Sequence, residues 1–333
     1  MFSGQLIGVD VGGTKVAVAT LEDERLSDPV VQPTQAESAE DLLGEIIAAI
    51  ESARGPSTVG VGVGVPSVVE FETGRVRSSI NLHLADLDLR QLLAERLGLP
   101  VFVDNDATVA ALDEAFDDGG EALVQNLVMF TVGTGIGGGL VLGGRVYRGA
   151  TGAAAELGHT LIAADLAAGA PKPGRFPQPG SLESLAAGRE LDRLAAKLAA
   201  DNPSSQLGRR AASGDPIDGH DAVAAAKGGD PGSIELLRVL GERLGVGIAN
   251  AINTFDPDVV AIGGGVSTAG DLLLRPATEA ARRCILPGVG ERTEIRLARH
   301  GEKAGVRGAA LLAGLELGKS ESVPSPSRSD QAA

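Results

Sequence analysis

The sequence has no tryptophan, a single cysteine and only 2% aromatic residues across 333 positions. Each scarcity excludes something. One cysteine, Cys284, rules out an internal disulfide. The lack of aromatic rings removes the stacking platforms used to bind single-stranded nucleic acid, and a formal net charge of -15 argues against the Lys and Arg clusters that neutralise phosphate backbones. No nucleic-acid partner is expected. Apolar runs are broken by Gly or by a charge well before the roughly 20 residues that span a bilayer, so no membrane segment is predicted. The N-terminus runs straight into a strand-like segment rather than a basic stretch, apolar core and cleavage site, which makes the cytoplasm the expected compartment. The acidic surface then serves mainly solubility.

What the chain has in quantity is glycine, 47 residues, and three clusters of it follow strand-like segments. Residues 6–10 form a short apolar strand entering Val11-Gly12-Gly13-Thr14-Lys15, after which 16–21 resume a β-branched strand. The same pattern returns at Leu127–Val132, then Gly133-Thr134-Gly135-Ile136-Gly137-Gly138-Gly139, then a strand over 140–142. The repetition predicts an internal duplication. The third cluster, Gly263-Gly264-Gly265, follows a buried-type strand over 259–262. Helical segments are predicted over 40–54 and Leu89–Leu97, with strands over 59–65 and 101–103 and a further helix after Asp104-Asn105-Asp106. Leu237, Leu240, Leu244, Ile248, Ala251 and Phe255 repeat at helical spacing until Pro257 stops them. Interleaved strands and helices indicate an α/β protein, and the length suits two domains. Residues 163–180 and 201–219 read as loops, and 319–333, which lack any apolar period, as a disordered tail.

A glycine turn after a strand lets successive backbone N–H groups approach phosphate oxygens, because no Cβ stands in the way and positive φ is accessible. Any one such turn could be an ordinary tight hairpin; three together predict a triphosphate site. Gly133, Gly135 and Gly138 also satisfy G-x-G-x-x-G, but a dinucleotide site needs a helix after the last glycine, and a strand follows here. No G-x-x-x-x-G-K-[ST] segment occurs. At Asp104-Asn105-Asp106 three polar residues stand where a strand gives way to a helix. Capping that helix uses one of them. A remaining carboxylate at the strand's end suits a general base acting on a substrate hydroxyl. Glu156, His159 and Glu183 lie in loop-like stretches where such side chains are ordinarily just solvated, although His159, one of four histidines, stands close to Glu156.

In combination these segments resemble the ROK family of sugar kinases, repressors and related proteins, its glucokinases above all, from Gly8 to about Leu315. The resemblance implies an actin-like ATPase (ribonuclease H-like) fold, with two α/β lobes and a nucleotide and sugar cleft between them. The lobes are expected at 1–125, joined by a closing helix at about 303–318, and at 126–302. It implies ATP and Mg²⁺, transfer of a phosphoryl group to a hexose hydroxyl, and carbohydrate metabolism as the setting. Glucose to glucose 6-phosphate comes first; fructose, mannose, N-acetylglucosamine, N-acetylmannosamine or a non-catalytic sugar-binding role are the alternatives. It also implies a homodimer or homotetramer.

Residue by residue, the resemblance gives the first phosphate loop to Asp10, Gly12, Gly13, Thr14 and Lys15, with Asp10 holding Mg²⁺ through water. The second falls to Gly133, Thr134 and Gly135, with Gly263 and Gly264 near the adenosine. Asn105 and Asp106 contact the sugar, Asp106 as catalytic base; Glu156 and His159 of Glu-x-Gly-His, and Glu183, contact its hydroxyls. Ala304-Gly305-Val306-Arg307-Gly308-Ala309-Ala310 resembles the closing helix. Val65-Pro66-Ser67 stands where many members have Gly-Pro-Gly, and Ile80-Asn81-Leu82-His83 replaces Pro-Asn-Leu followed by an aromatic, which leaves the sugar open. The family's zinc-binding cysteines are replaced by the proline-rich run from Pro171 to Ser181. No structural zinc is therefore expected, and the prolines are expected to restrain the loop instead. The first loop begins within ten residues of Met1, so no repressor-type DNA-binding module is expected.

Overall fold

Val, Ile and Gly alternate along the central strands, a composition that fits a pleated sheet yet leaves part of one face bare of side chains. The computed structural model describes residues 2, 4–79, 82–167, 169–171 and 174–322, with side chains through Lys319. The chain divides into two compact units, one running to Leu123 and resuming at Gly305, the other Val124–Ala304.

The first unit contains β1 (Gln5–Val11), β2 (Lys15–Glu22), β3 (Arg25–Leu26), β4 (Val30–Pro33), α1 (Ala39–Ala53), β5 (Thr58–Val65), the hairpin β6 (Ser67–Glu70) and β7 (Arg75–Ser79), α2 (Leu89–Leu97), β8 (Val101–Asn105) and α3 (Asp106–Ala115). Its main sheet runs β3-β2-β1-β5-β8, with β4 on β2. β1 and β2 are antiparallel, whereas β1, β5 and β8 run parallel. One core gathers Ile7, Val9, Val61 and Val63 with Leu42, Ile46 and Ile50 of α1 and Leu89 and Leu93 of α2.

The second unit contains β9 (Leu127–Val132), β10 (Ile136–Leu142), β11 (Arg145–Val146), α4 (Leu182–Ala186), α5 (Gly188–Asp201), α6 (Gln206–Ala212), α7 (Gly219–Lys227), α8 (Pro231–Phe255), β12 (Val259–Gly263), α9 (Asp271–Cys284) and β13 (Glu294–Leu297). Its sheet runs β11-β10-β9-β12-β13. Again the first hairpin is antiparallel and the following strands parallel. The two sheets share one order and one set of strand directions, as the repeated hairpin predicts. Its core joins Val128, Phe130, Val260 and Ile262 to Leu237, Leu244 and Ile248 of α8 and to Leu273 of α9.

The last helix, α10 (Ala304–Ser322), lies on the bare face of the first sheet. A Cβ on Gly8 would collide with the carbonyl oxygen of Val306, and one on Gly62 with that of Ala309. Buried Arg307 then ties α10 to the end of α3, donating to the Asp113 carboxylate at 2.8 Å, to the Asp113 carbonyl at 2.9 Å and to Asp118 at 2.7 Å.

Three features depart from the sequence reading. β10 starts at Ile136, so Gly137, Gly138 and Gly139 are ladder residues opposite Thr131, Phe130 and Met129 rather than part of the turn. The expected loop over 201–219 contains α6, capped by the Ser205 hydroxyl accepting from Gly208 N–H and anchored by buried Leu207; seven residues are too few to show a helical period. Helix α10 continues to Ser322, past the point where the polar tail was expected to begin. The rest of that tail, with Ile80, Asn81, Lys172 and Pro173, lies outside the described residues. Among the described residues no helix is long and apolar enough to cross a membrane.

Two glycine substitutions separate close packing from chain flexibility. Gly62→Ala is expected to destabilise by about 1–3 kcal/mol, since α10 must shift to admit a methyl group. Gly44→Ala, in the middle of α1 with nothing within 4 Å of the added carbon, is expected to stabilise by about 0.5–1 kcal/mol. Urea unfolding of both variants checks the opposite signs.

Candidate active site

In the first unit the candidate residues stand at the C-terminal ends of parallel strands, where α/β sheets place ligands. Asp10 is the penultimate residue of β1. The turn beyond it is closed by Gly12 N–H donating to Lys15 O at 2.8 Å, with Gly13, Thr14 and Lys15 exposed. At the end of β8, Asn105 is the helix cap: its Oδ1 accepts from Ala107 N–H at 3.0 Å and Thr108 N–H at 3.1 Å, and its amide donates to the Ser67 carbonyl at 3.4 Å. Asp104 is buried and accepts Asn105 N–H at 2.9 Å. Asp106, the first residue of α3, is therefore relieved of capping; its Oδ1 takes Ala107 N–H at 2.8 Å.

Burial pushes the Asp10 carboxyl up to about 6; the Asp106 charge adds to the shift and Lys15 opposes it. Asp106 is raised as well, by desolvation that outweighs the hydrogen bonds from Ala107, its own N–H and Asn105. One side of Asp10 is walled by the start of α10, where a Cβ on Gly305 would collide with Oδ2. Two carboxylates that each resist ionisation, with one lysine between them and neutrality, are a donor set that a hard divalent cation would relieve.

In the second unit the turn Gly133–Gly135 mirrors the first, closed by Gly133 N–H to Gly135 O at 3.0 Å. Gly264, at positive φ, packs on Val132 at the end of β9, and β12 pairs with β9 up to Gly263, so the second and third glycine clusters share one strand end. The segment 183–188 grips the turn from the other side. Glu183 Oε2 accepts Ile136 N–H at 2.8 Å, and Gly188 N–H donates to Gly133 O at 2.7 Å. The Glu-x-Gly-His segment packs on β10 by close approach, since side chains on Gly138 and Gly158 would collide with the carbonyl oxygens of Ala155 and Ile136. His159 Nε2 lies 3.8 Å from Glu156 Oε2, and its ring meets Phe176 edge-on at 5.5 Å between centroids.

The sequence reading did not single out the cations beside this turn. A cavity of roughly 510 Å³ brings Arg175, Arg189 and Arg193 to Thr134 and Glu183. Arg193 is paired through both ends with Glu190, at 2.7 and 2.8 Å. The only available signal was Gly188-Arg189 after the small residues Ala186-Ala187; contact with a turn more than fifty positions earlier leaves no trace in local pattern.

Two α/β units of duplicated topology, with glycine turns and carboxylates at their strand ends, have the actin-like ATPase fold. The chain belongs to the ROK family, whose model matches residues 6–315. It is 33% identical to a glucokinase of Halalkalibacterium halodurans, over 92% of this chain and 94% of that one. It is 35% identical to a glucokinase of Streptomyces coelicolor, over 93% and 98% respectively. Among solved structures it is similar to a ROK family glucokinase from Streptomyces griseus in complex with glucose and AMPPNP, with a TM-score of 0.79, 33% identity, and coverage of 93% of this chain and 99% of that one.

The electrostatics of the first unit give a test. In Asp106→Asn the second cause of the Asp10 shift disappears, so Asp10 is expected to titrate below about 6, read by carbon NMR of its carboxyl. The folded value lies above the ordinary 3.8, so the native state is favoured below that value and loses this contribution as pH rises towards 6. The variant should therefore lose less stability than the wild type across that window.

Proposed function

We propose that this protein is an ATP-dependent hexose kinase whose acceptor is glucose, giving glucose 6-phosphate and ADP, and that it works in the cytoplasm as a homodimer or homotetramer. The observation that carries the reading is Asp106: a carboxylate spared from capping by Asn105, with its proton affinity raised, at the head of a helix beside Asp10. A base with affinity raised towards the working pH removes a hydroxyl proton more readily than an ordinary carboxylate.

Asp106 takes the proton of the acceptor hydroxyl as its oxygen attacks the γ-phosphorus; the new O–P bond forms while the bond to the β–γ bridging oxygen breaks, and ADP leaves. Asn105, Glu156, His159 and Glu183 orient the sugar. The turns Gly12–Thr14 and Gly133–Gly135 offer backbone N–H groups to the phosphates, Lys15 adds a cation, and Gly263 and Gly264 lie by the adenosine. Asp10 would hold Mg²⁺ through water, and the ion supplies charge neutralisation on the phosphate oxygens.

A Cys₃His zinc site does not fit this chain. Its only cysteine, Cys284, is exposed at the end of α9, and His159 faces a phenyl ring. Neutral serine and proline do not replace thiolates for a borderline-soft cation. Activity is expected to survive prolonged chelation once Mg²⁺ is restored; one tightly bound zinc whose removal abolishes turnover would refute this.

The function itself is tested by coupled ADP release with ATP, Mg²⁺ and a panel of sugars. Glucose-dependent turnover is expected, and silence across the panel overturns the reading. Asp106→Asn should fold normally, because Asn105 supplies the cap, yet lose at least ~10² in kcat. Near-normal turnover in that variant would return Asp106 to a structural role.

A further inference from the structure

Within the second unit, the carboxylate of Glu183 does more than face a sugar. Its Oε2 accepts Ile136 N–H at 2.8 Å, at the residue where the second glycine turn becomes β10. The approach is so close that a Cβ on Gly135 would collide with that oxygen. Five residues on, Gly188 N–H donates to Gly133 O at 2.7 Å at the other end of the same turn. A single short stretch, α4 with the start of α5, therefore clamps both ends of residues 133–136, one end by a side chain and the other by backbone. Neighbouring packing makes the block continuous, because Ile136 O rests against Gly158 of the Glu-x-Gly-His segment.

We propose that Glu183 is a positioning residue for the second phosphate turn, coupling the nucleotide side of this unit to its acceptor side through one carboxylate. One oxygen holds Ile136 N–H and so fixes the direction of the turn's peptides; the other is left for an acceptor hydroxyl. Holding the Gly133 carbonyl towards Gly188 and the Ile136 N–H towards Glu183 leaves the N–H groups of Thr134 and Gly135 as the donors of the turn. If the carboxylate only contacted sugar, its removal would not matter to a nucleotide bound without sugar. A charged acceptor half-buried against a backbone donor is among the stronger hydrogen bonds, so its loss should loosen the turn measurably.

The proposal rests on the kinase reading for its ligand, and the experiment keeps the two apart. Binding of a non-hydrolysable ATP analogue with Mg²⁺ is measured by calorimetry in the absence of any sugar, for wild type, Glu183→Ala and Glu183→Gln. Glu183→Ala is expected to weaken binding about tenfold or more. Glu183→Gln keeps an acceptor oxygen for Ile136 N–H, so it should bind the analogue within about twofold of wild type, while its KM for the acceptor rises through loss of charge. Amide hydrogen exchange at Ile136 supplies a readout that needs no ligand: faster exchange is expected in the alanine variant and protection in the glutamine one. Unchanged exchange at Ile136 in Glu183→Ala overturns the proposal, as does an alanine variant that binds the analogue like wild type. Failure of the wild type itself to bind the analogue, with Ile136 exchange still dependent on Glu183, counts against the kinase reading and leaves the clamp supported.

Discussion

Backbone pressed against backbone is the constraint on which the rest of this molecule depends. A helix normally packs on the sheet it covers through an interdigitated layer of side chains. Here the carbonyls of Val306 and Ala309 reach the Cα atoms of Gly8 and Gly62, so α10 is seated on β1 and β5 with no intervening layer. That seating brings Gly305 against the Asp10 carboxylate and Arg307 into the end of α3. The second unit repeats the device in miniature, Gly158 against Ile136 and Gly138 against Ala155, and so sets the Glu156–His159 segment directly on the strand that leaves the second glycine turn. In both units the position of a charged side chain follows from the absence of a side chain beneath it.

One topology, used twice, has been filled with different chemistry. The first unit places two carboxylates with raised proton affinity at the ends of β1 and β8, beside a turn that carries the one lysine of the pair of loops. The second unit places its carboxylate, Glu183, on the turn itself, and lines the cavity beside it with three arginines, Arg175, Arg189 and Arg193, against the two acids Glu183 and Glu190. On the proposed kinase reading, the duplicated strand ends would divide proton removal and cation binding from phosphate cradling and acceptor orientation.

Much of this was legible in the chain itself. The strand–glycine–strand pattern located β1–β2 and β9–β10, and the apolar run ending at Pro257 located α8 to its last residue. Three adjacent polar residues after β8 marked the candidate base, and only coordinates could assign the cap to Asn105 and leave Asp106 relieved of it. The glycines of 137–139 were read as loop because a run of glycine predicts a turn; in the fold they are strand residues whose missing side chains admit the 155–158 segment. Short polar helices such as α6 escape periodicity altogether. Long-range pairs, Glu183 with Ile136 and Gly188 with Gly133, have no signature in local pattern, since each partner's residue type is explained by something nearer in sequence.

Net charge also misleads when applied to the site. A protein carrying -15 overall would seem a poor receptor for a triphosphate, yet screening at physiological ionic strength limits the reach of exposed charges to about 8 Å. The field at a phosphate is therefore set by the nearest groups. In the second unit these are the peptide N–H groups of the turn and a wall holding Arg175 and Arg189, which form no ion pair among the described residues, while Arg193 is balanced by Glu190. In the first they are Lys15 and two carboxylates whose proton affinity is raised by burial. A negative total is thus compatible with the anion site proposed above, because exposed acids beyond that distance are screened, while Asp10 and Asp106 have raised proton affinity and Glu183 and Glu190 are committed to Ile136 N–H and Arg193.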